Sequence, residues 1–278
     1  MKNKVYLIIA IIVVFAIGAI FIFKDTRHHS VKDFPVQEIN KDSLQAFESF
    51  YNRATQFRIQ DKIDSSVSAY EKAIRLNPDD TNTLYYLGIM YRKQRDFEKA
   101  KQSWGKLINL DSGNMRTLIQ LGNLYFCMTH RKFFKPQRAE FYFKKANELN
   151  KDSLIPKLRL GEITLYLNKT NEALDIFNDL SARNPKNVEV NFVNGFLNYK
   201  TGNETQAINY LKQAFLSAKA DTSIDFAIRD QRQCNMFIYY TTAYITNSPP
   251  ADIPKSAPEI YKEFDKYLAL MRDQLNPQ

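Results

Sequence analysis

The chain has few of the residues from which catalytic and metal sites are built. Its 278 residues include 3 His and 2 Cys, and His28 and His29 are adjacent, an arrangement that makes a poor metal site without further ligands. No glycine-rich phosphate loop and no H-E-x-x-H pattern occurs, and no Cys or Ser stands beside a base in a recognisable motif. Acid pairs such as Asp79-Asp80 fall where helices are expected to begin, a place for capping rather than acid–base work. The reading is a protein that is not an enzyme, with no cofactor and no metal. With only 8 Gly and 10 Pro, long low-complexity or collagen-like segments are also excluded.

What is present is apolar and aromatic. Apolar residues make up 44% of the chain and charged residues 25%, with 20 Phe and 16 Tyr against a single Trp. That balance suits a folded helical protein whose rings fill a core or line a binding surface. The formal net charge is +9, spread along the chain rather than blocked. It reads either as attraction to an acidic partner, nucleic acid or anionic membrane, or as a well-solvated lysine-rich surface.

From Val5 to Phe23 the chain runs for nineteen residues without a charge. As a helix this stretch is about 28 Å long, close to the hydrocarbon thickness of a bilayer. It exceeds the apolar core of a signal peptide and ends in Phe23-Lys24 without a small-x-small cleavage site. Residues 1–24 are therefore expected to be an uncleaved single-pass transmembrane anchor, with 25–41, interrupted by Pro35, as a linker. Lys2 and Lys4 precede the span and Lys24, Arg27 and Lys32 follow it, so charge barely orients it. A short basic start favours the amino terminus inside and the rest extracytoplasmic. Frequent Lys, Asn and Ile point to a bacterium, where that space is periplasmic.

Beyond the linker lies a repeat. Laid end to end from Phe47, five units span 47–80, 81–114, 115–153, 154–187 and 188–221, within a domain of 42–221. Their eighth positions hold Ala54, Gly88, Gly122, Gly161 and Gly195. Positions equivalent to the twentieth hold Ser66, Ala100, Ala139, Ala173 and Ala207, followed four later by Tyr70, Trp104, Phe143, Phe177 and Leu211. Pro78 and Pro185 close two units. These residues resemble the tetratricopeptide repeat, with its L-G-x-x-Y…A-x-x-x-F…P signature and thirty-four-residue period. The resemblance implies an all-α solenoid of helix-turn-helix units. In each unit a small residue at position eight of helix A lets helix B approach, and the ring at position twenty-four fills the groove beside them. Neighbours must stack, since no unit buries its apolar face alone.

The resemblance also implies a function. Helix A of each unit lines a concave groove through positions two, five, nine, twelve and thirteen. In this chain these are Tyr51, Tyr85, Ile89, Ile119, Asn123 and Phe126 in the first three units, then Leu158, Glu162, Leu165, Tyr166, Phe192, Phe196 and Tyr199. An apolar, tyrosine-rich lining accepts a helix or an extended peptide. The subfamily that clamps chaperone carboxyl termini places Lys and Asn where this chain has Tyr51 and Thr55, and a base where it has Gln120, so that specificity is not expected.

The third unit carries five extra residues in the turn between its helices. Arg131, Lys132, Lys135 and Arg138 stand there among Phe133 and Phe134. The loop, residues 130–138, is a candidate for anionic lipid or nucleic acid, with the alternative that its phenylalanines fold back onto the array. Cys127 and Cys234 lie about six helices apart in a linear stack, too far for a disulfide, and both are expected to be reduced.

Residues 222–278 are expected to form capping helices. One is read over 224–245; another follows a capping box Ser256-x-x-Glu259 and carries the stripe Ile260, Tyr261, Phe264, Tyr267, Leu268, Met271 and Leu275. The combined expectation is a membrane-anchored scaffold that binds a protein or peptide in its groove and supports assembly, secretion or maturation of an envelope complex. A cytosol-facing organelle receptor of the same fold is the remaining alternative.

Overall fold

A computed structural model describes residues 41–127, 130–220 and 253–275. The chain divides into two compact units, Met1–Gln45 and Ala46–Gln278. In the first, only the opening of a helix is described. The second is an all-α solenoid, and every regular element among the described residues is a helix. In chain order these are α1 (Lys41–Ile59), α2 (Ile63–Leu76), α3 (Thr81–Lys93), α4 (Phe97–Leu110), α5 (Met115–Tyr125) and α6 (Pro136–Leu149). They continue with α7 (Leu154–Tyr166), α8 (Thr170–Arg183), α9 (Val188–Lys200), α10 (Glu204–Ala220) and α11 (Ile253–Leu275).

Local chemistry sets these boundaries. Asp80 accepts a hydrogen bond from the Thr83 N–H at 2.6 Å, Asp96 from Lys99 at 3.0 Å, Asn114 from Thr117 at 3.1 Å and Asn187 from Val190 at 2.9 Å. Each satisfies a helix donor that otherwise has no partner. The turns inside units one, two, four and five share one device. Asp61, Arg95, Asn168 and Gly202 have φ of 55°, 65°, 63° and 83°. The next N–H then reaches back to the carbonyl five residues earlier, as in Lys62 to Phe57 at 2.9 Å and Asn203 to Asn198 at 2.8 Å. This is the left-handed stop that reverses a helix in one step. In the third unit the insertion replaces it, and the Lys135 N–H closes the loop on the Tyr125 carbonyl at 2.8 Å.

From α2 to α10 each helix packs against its neighbour in sequence. In units two, three and four the contact that holds the pair is a ring on a missing side chain. A Cβ on Gly88 would stand 2.3 Å from Trp104 Nε1, and one on Gly122 would stand 2.4 Å from Phe143. At Gly161 it would meet Phe177 at 2.6 Å. The position-twenty-four ring therefore lies directly on the position-eight glycine rather than beside the helix contact. Trp104, Phe143 and Phe177 are fully buried, and Trp104 donates to the Tyr85 carbonyl at 3.2 Å. In the first unit, Ala54 and Ser66 take the small positions, and Ser66 donates to the Ala54 carbonyl at 3.0 Å.

Three expectations are corrected. The single-pass membrane anchor and the extracytoplasmic placement built on it are not supported. Among the described residues no helix is long and apolar enough to cross a membrane. Residues 5–23 lie outside the described residues, as does the helix read over 224–245. Cys127 is not a free thiol but disulfide-bonded and fully buried. The other cysteine, Cys234, lies outside the described residues. Finally, α11 starts at Ile253, so Ser256 lies inside its first turn rather than capping it.

The glycines supply a direct test. Gly88→Ala forces a methyl into a buried indole and should cost about 1–3 kcal/mol. Gly105, in the middle of α4, has nothing within 4 Å of an added Cβ, so Gly105→Ala should stabilise by about 1 kcal/mol. Urea denaturation of the two variants should give shifts of opposite sign.

Candidate functional site

The groove positions of the A helices, α1, α3, α5, α7 and α9, fall into two halves. Tyr51, Tyr85, Ile89, Ile119 and Asn123 of the first three units are half-buried and present part of their surface to solvent. Their rings form a ladder. Phe47 stacks on Tyr51 at 6.0 Å, Tyr51 meets Tyr70 edge-on at 5.8 Å and Tyr70 stacks on Tyr86 at 6.2 Å. Tyr86 then meets Tyr85 edge-on at 5.2 Å. The Arg58 guanidinium lies over Tyr86 at 4.3 Å, and Arg116 over Tyr85 at 4.7 Å. Burial, helped by the neighbouring phenols of Tyr70 and Tyr86, pushes the Tyr51 phenol up from its ordinary pKa. Tyr86 was absent from the sequence-based set because the groove positions transferred from the repeat family do not include position six, where it stands; Arg58 stands at groove position twelve but was not singled out, since only the ring contact shows its role.

The second half is covered. Phe126, Leu158, Glu162, Leu165, Tyr166, Phe192 and Phe196 are buried, and Tyr199 is half-buried. Helix α11 covers the fifth unit. Its Phe264 meets Phe196 edge-on at 4.8 Å and Phe192 at 5.3 Å, and Tyr261 lies 5.8 Å from Tyr199. Lys200, at the end of α9, pairs with Asp265 at 2.7 Å. Seven residues further on, Arg272 donates to the last carbonyls of α7, Leu165 at 2.8 Å and Tyr166 at 2.7 Å. Seven residues of helix rise about 10 Å, the spacing of packed helices, so α11 crosses the ends of α9 and α7 in succession. It lies on the A-helix face as a bound helix would.

The start of α11 also completes the fifth unit. Leu211 stands there in place of a ring, and the space above Gly195 is filled instead by Tyr261, whose Oη would lie 1.9 Å from a Cβ at that glycine. Tyr261 is fully buried and donates to the Ala207 carbonyl at 3.4 Å. A missing ring in unit five, beside a ring-rich stripe at the end of the chain, was the available sequence signal for this contact.

Under the fourth unit sits a buried charge cluster. Arg159 pairs with Glu162 and stands 3.8 Å from Glu189. Burial, with the neighbouring Glu162 carboxylate, pushes Glu189 well above the ordinary carboxylate range, against the pull of Arg159. Glu162, expected to face a ligand, is fully buried in this cluster.

The insertion folds onto the array. Phe133 is buried against Phe97 at 5.7 Å and His130 at 5.3 Å. Phe134 is buried against Tyr166 at 5.4 Å and Phe126 at 6.0 Å. Adjacent phenylalanines thus join two different stretches of core, one from the early units and one from the later. Neither offers a face for base stacking. Arg131, Lys132, Lys135 and Arg138 remain exposed, Lys132 pairing with Glu98 at 3.0 Å and Arg138 lying over Tyr125 at 5.5 Å. Among the described residues, no group of three or more His, Cys, Asp or Glu is placed to hold a metal ion.

Comparison with known proteins agrees with this geometry. Tetratricopeptide-repeat family models match residues 43–80 and 69–102, so the chain contains tetratricopeptide repeats. It is 23% identical over 187 residues to anaphase-promoting complex subunit CDC16 of Saccharomyces cerevisiae, over 65% of this chain and 22% of that protein. With anaphase-promoting complex subunit 3 of Schizosaccharomyces pombe it shares 20% identity over 247 residues, 86% of this chain and 36% of the relative. The chain thus spans well under half the length of these curated relatives. Among solved structures, MamA residues 41-end from Desulfovibrio magneticus RS-1 superposes with a TM-score of 0.57 at 12% identity, over 64% of this chain and 98% of that one. YrrB, described as a TPR protein with an unusual peptide-binding site, superposes with a TM-score of 0.53 at 19% identity, over 68% and 97%. At these identities the likeness concerns the fold.

The covered half yields two expected outcomes. Tyr261→Ala should cost about 3–5 kcal/mol, as for other large buried rings, whereas Tyr261→Phe should cost about 1 kcal/mol or less; thermal unfolding distinguishes them. Because the folded-state pKa of Glu189 is raised, its contribution is present at low pH and is lost as pH rises above 4.5 towards that raised value. Glu189→Gln should therefore raise Tm at pH 7 and flatten the fall of stability with pH across that window.

Proposed function

We propose that this protein is a tetratricopeptide scaffold that holds a partner protein, or a peptide segment of one, against the open A-helix face of its first three units. One observation carries the reading. The same face over units four and five already holds an amphipathic helix, the chain's own α11, through ring contacts and charge-assisted hydrogen bonds to helix ends. The half lined by Tyr51, Tyr85, Ile89, Ile119 and Asn123 offers the same kind of apolar surface with no described segment seated on it. The comparisons support the class: YrrB is described as having a peptide-binding site, and the yeast relatives are named as subunits of a complex. The role is binding without chemistry, in the assembly of a multiprotein complex.

The test uses residues that line the open half without filling the core. Partners cross-linked to the wild-type chain in cells and identified by mass spectrometry should be lost from Tyr85→Ala combined with Ile119→Ala. Far-UV circular dichroism should stay unchanged, and Tm should fall by only about 2–8 °C for a loss of about one to two kcal/mol. Undiminished capture of the same partners would overturn the reading.

A further inference from the structure

We infer that the open half of the groove selects an acidic segment, whose carboxylates bind Arg58 and Arg116 above the tyrosine ladder; the inference rests on the reading just proposed and narrows it to one partner chemistry. Charge at the groove positions is lopsided. Across the first three units these positions include Arg58, Arg92, Lys93 and Arg116 against a single acid, Glu48. Of these, Lys93 is paired with Asp61, and several bases elsewhere on the array are likewise paired within the fold: Lys106 with Asp79, Lys157 with Asp179, Lys169 with Glu140 and Arg183 with Asp152. Arg58 and Arg116 take no part in any ion pair among the described residues.

Both guanidiniums are nonetheless positioned. Arg58 is held over Tyr86 and donates from Nε to the Tyr70 hydroxyl at 3.3 Å, and its two terminal nitrogens take no ion pair among the described residues. Arg116 lies over Tyr85 and is exposed. A guanidinium laid flat on a ring loses little further freedom on binding, and its planar fork matches a carboxylate in bidentate geometry. The two arginines are separated by no more than the contacting pair Tyr85 and Tyr86. Carboxylates two to four residues apart on an extended peptide, about 7–13 Å, reach both. Ile89 and Ile119 beside them offer apolar contact for the intervening side chains.

The same geometry argues against nucleic acid as the ligand. Base stacking needs an open ring face, and the faces of Tyr85 and Tyr86 already carry guanidiniums.

Fluorescence anisotropy with the full chain tests the inference. The probes are two labelled synthetic peptides with the same leucine and tyrosine positions, one with glutamate and one with lysine between them, and a labelled oligouridylate. The glutamate peptide should bind and the lysine peptide should not. Affinity for the glutamate peptide should fall by at least about tenfold in Arg58→Gln with Arg116→Gln, the scale of a lost charge-assisted hydrogen bond. The single variant Arg116→Glu, at an exposed site that leaves the core intact, should also weaken the glutamate peptide. Failure of the glutamate peptide to bind, equal affinity for both peptides, no loss in the double variant, or tighter oligouridylate binding that depends on the two arginines would each overturn the inference. Equal peptide binding that is abolished by Tyr85→Ala with Ile119→Ala would overturn the acidic preference while leaving the groove as the binding face.

Discussion

The array depends on side chains that are not there. At Gly88, Gly122 and Gly161 the backbone of one helix receives the ring of its partner at a distance no Cβ would tolerate, so the two helices close to within a ring's thickness. Each such contact fixes helix B against helix A, and the paired helices then offer a combined apolar face to the next pair. The fifth unit shows the consequence of a missing ring. Leu211 does not reach Gly195, and the space above that glycine is taken by Tyr261 from a helix that begins beyond the repeats. That substitution makes α11 part of the last unit's core and also lays it across the face that a ligand would use.

The two halves of the groove consequently have different energetics. Over units four and five, buried rings contribute both area and edge-to-face contact, and Arg272 donates to the Leu165 and Tyr166 carbonyls at the end of α7. The Arg159, Glu162 and Glu189 cluster lies in the same region, where removing charges from water opposes much of their mutual attraction. Over units one to three the rings are only partly covered, and the guanidiniums on them remain in contact with water. Binding energy is available only where desolvation has not already happened within the fold, which supports the proposed recognition surface at the amino-terminal end of the array.

Much of the fold was legible in the residues because it is built from local rules. The period, the small residue at position eight and the ring at position twenty-four appear in sequence in the same register as in space. Asp80, Asp96, Asn114 and Asn187 announce the helix starts they cap. The turns were less readable: Asp61, Arg95 and Asn168 adopt a left-handed backbone without being glycine, so the usual marker of such a stop is missing. The candidate site was legible by face only. Position five or nine of helix A says that Phe192 and Phe196 point to the groove, but not that another helix already lies there. Counting helices between Cys127 and Cys234 likewise failed, since Cys127 is bonded rather than reduced.

The sequence by itself determined the helix pairs, several of their caps, the pairing of a small residue with a ring in units two to four and the excess of positive charge at the early groove positions. These depend on residues within a few turns of one another or on simple counting. Only the tertiary structure decided which groove residues are covered, which arginines go unpaired and where the insertion's phenylalanines are buried. Those outcomes rest on contacts between distant parts of the chain, such as Arg272 on the end of α7 and Tyr261 over Gly195. No local periodicity encodes such contacts. They are settled by which apolar surface the returning chain can bury once the array has formed.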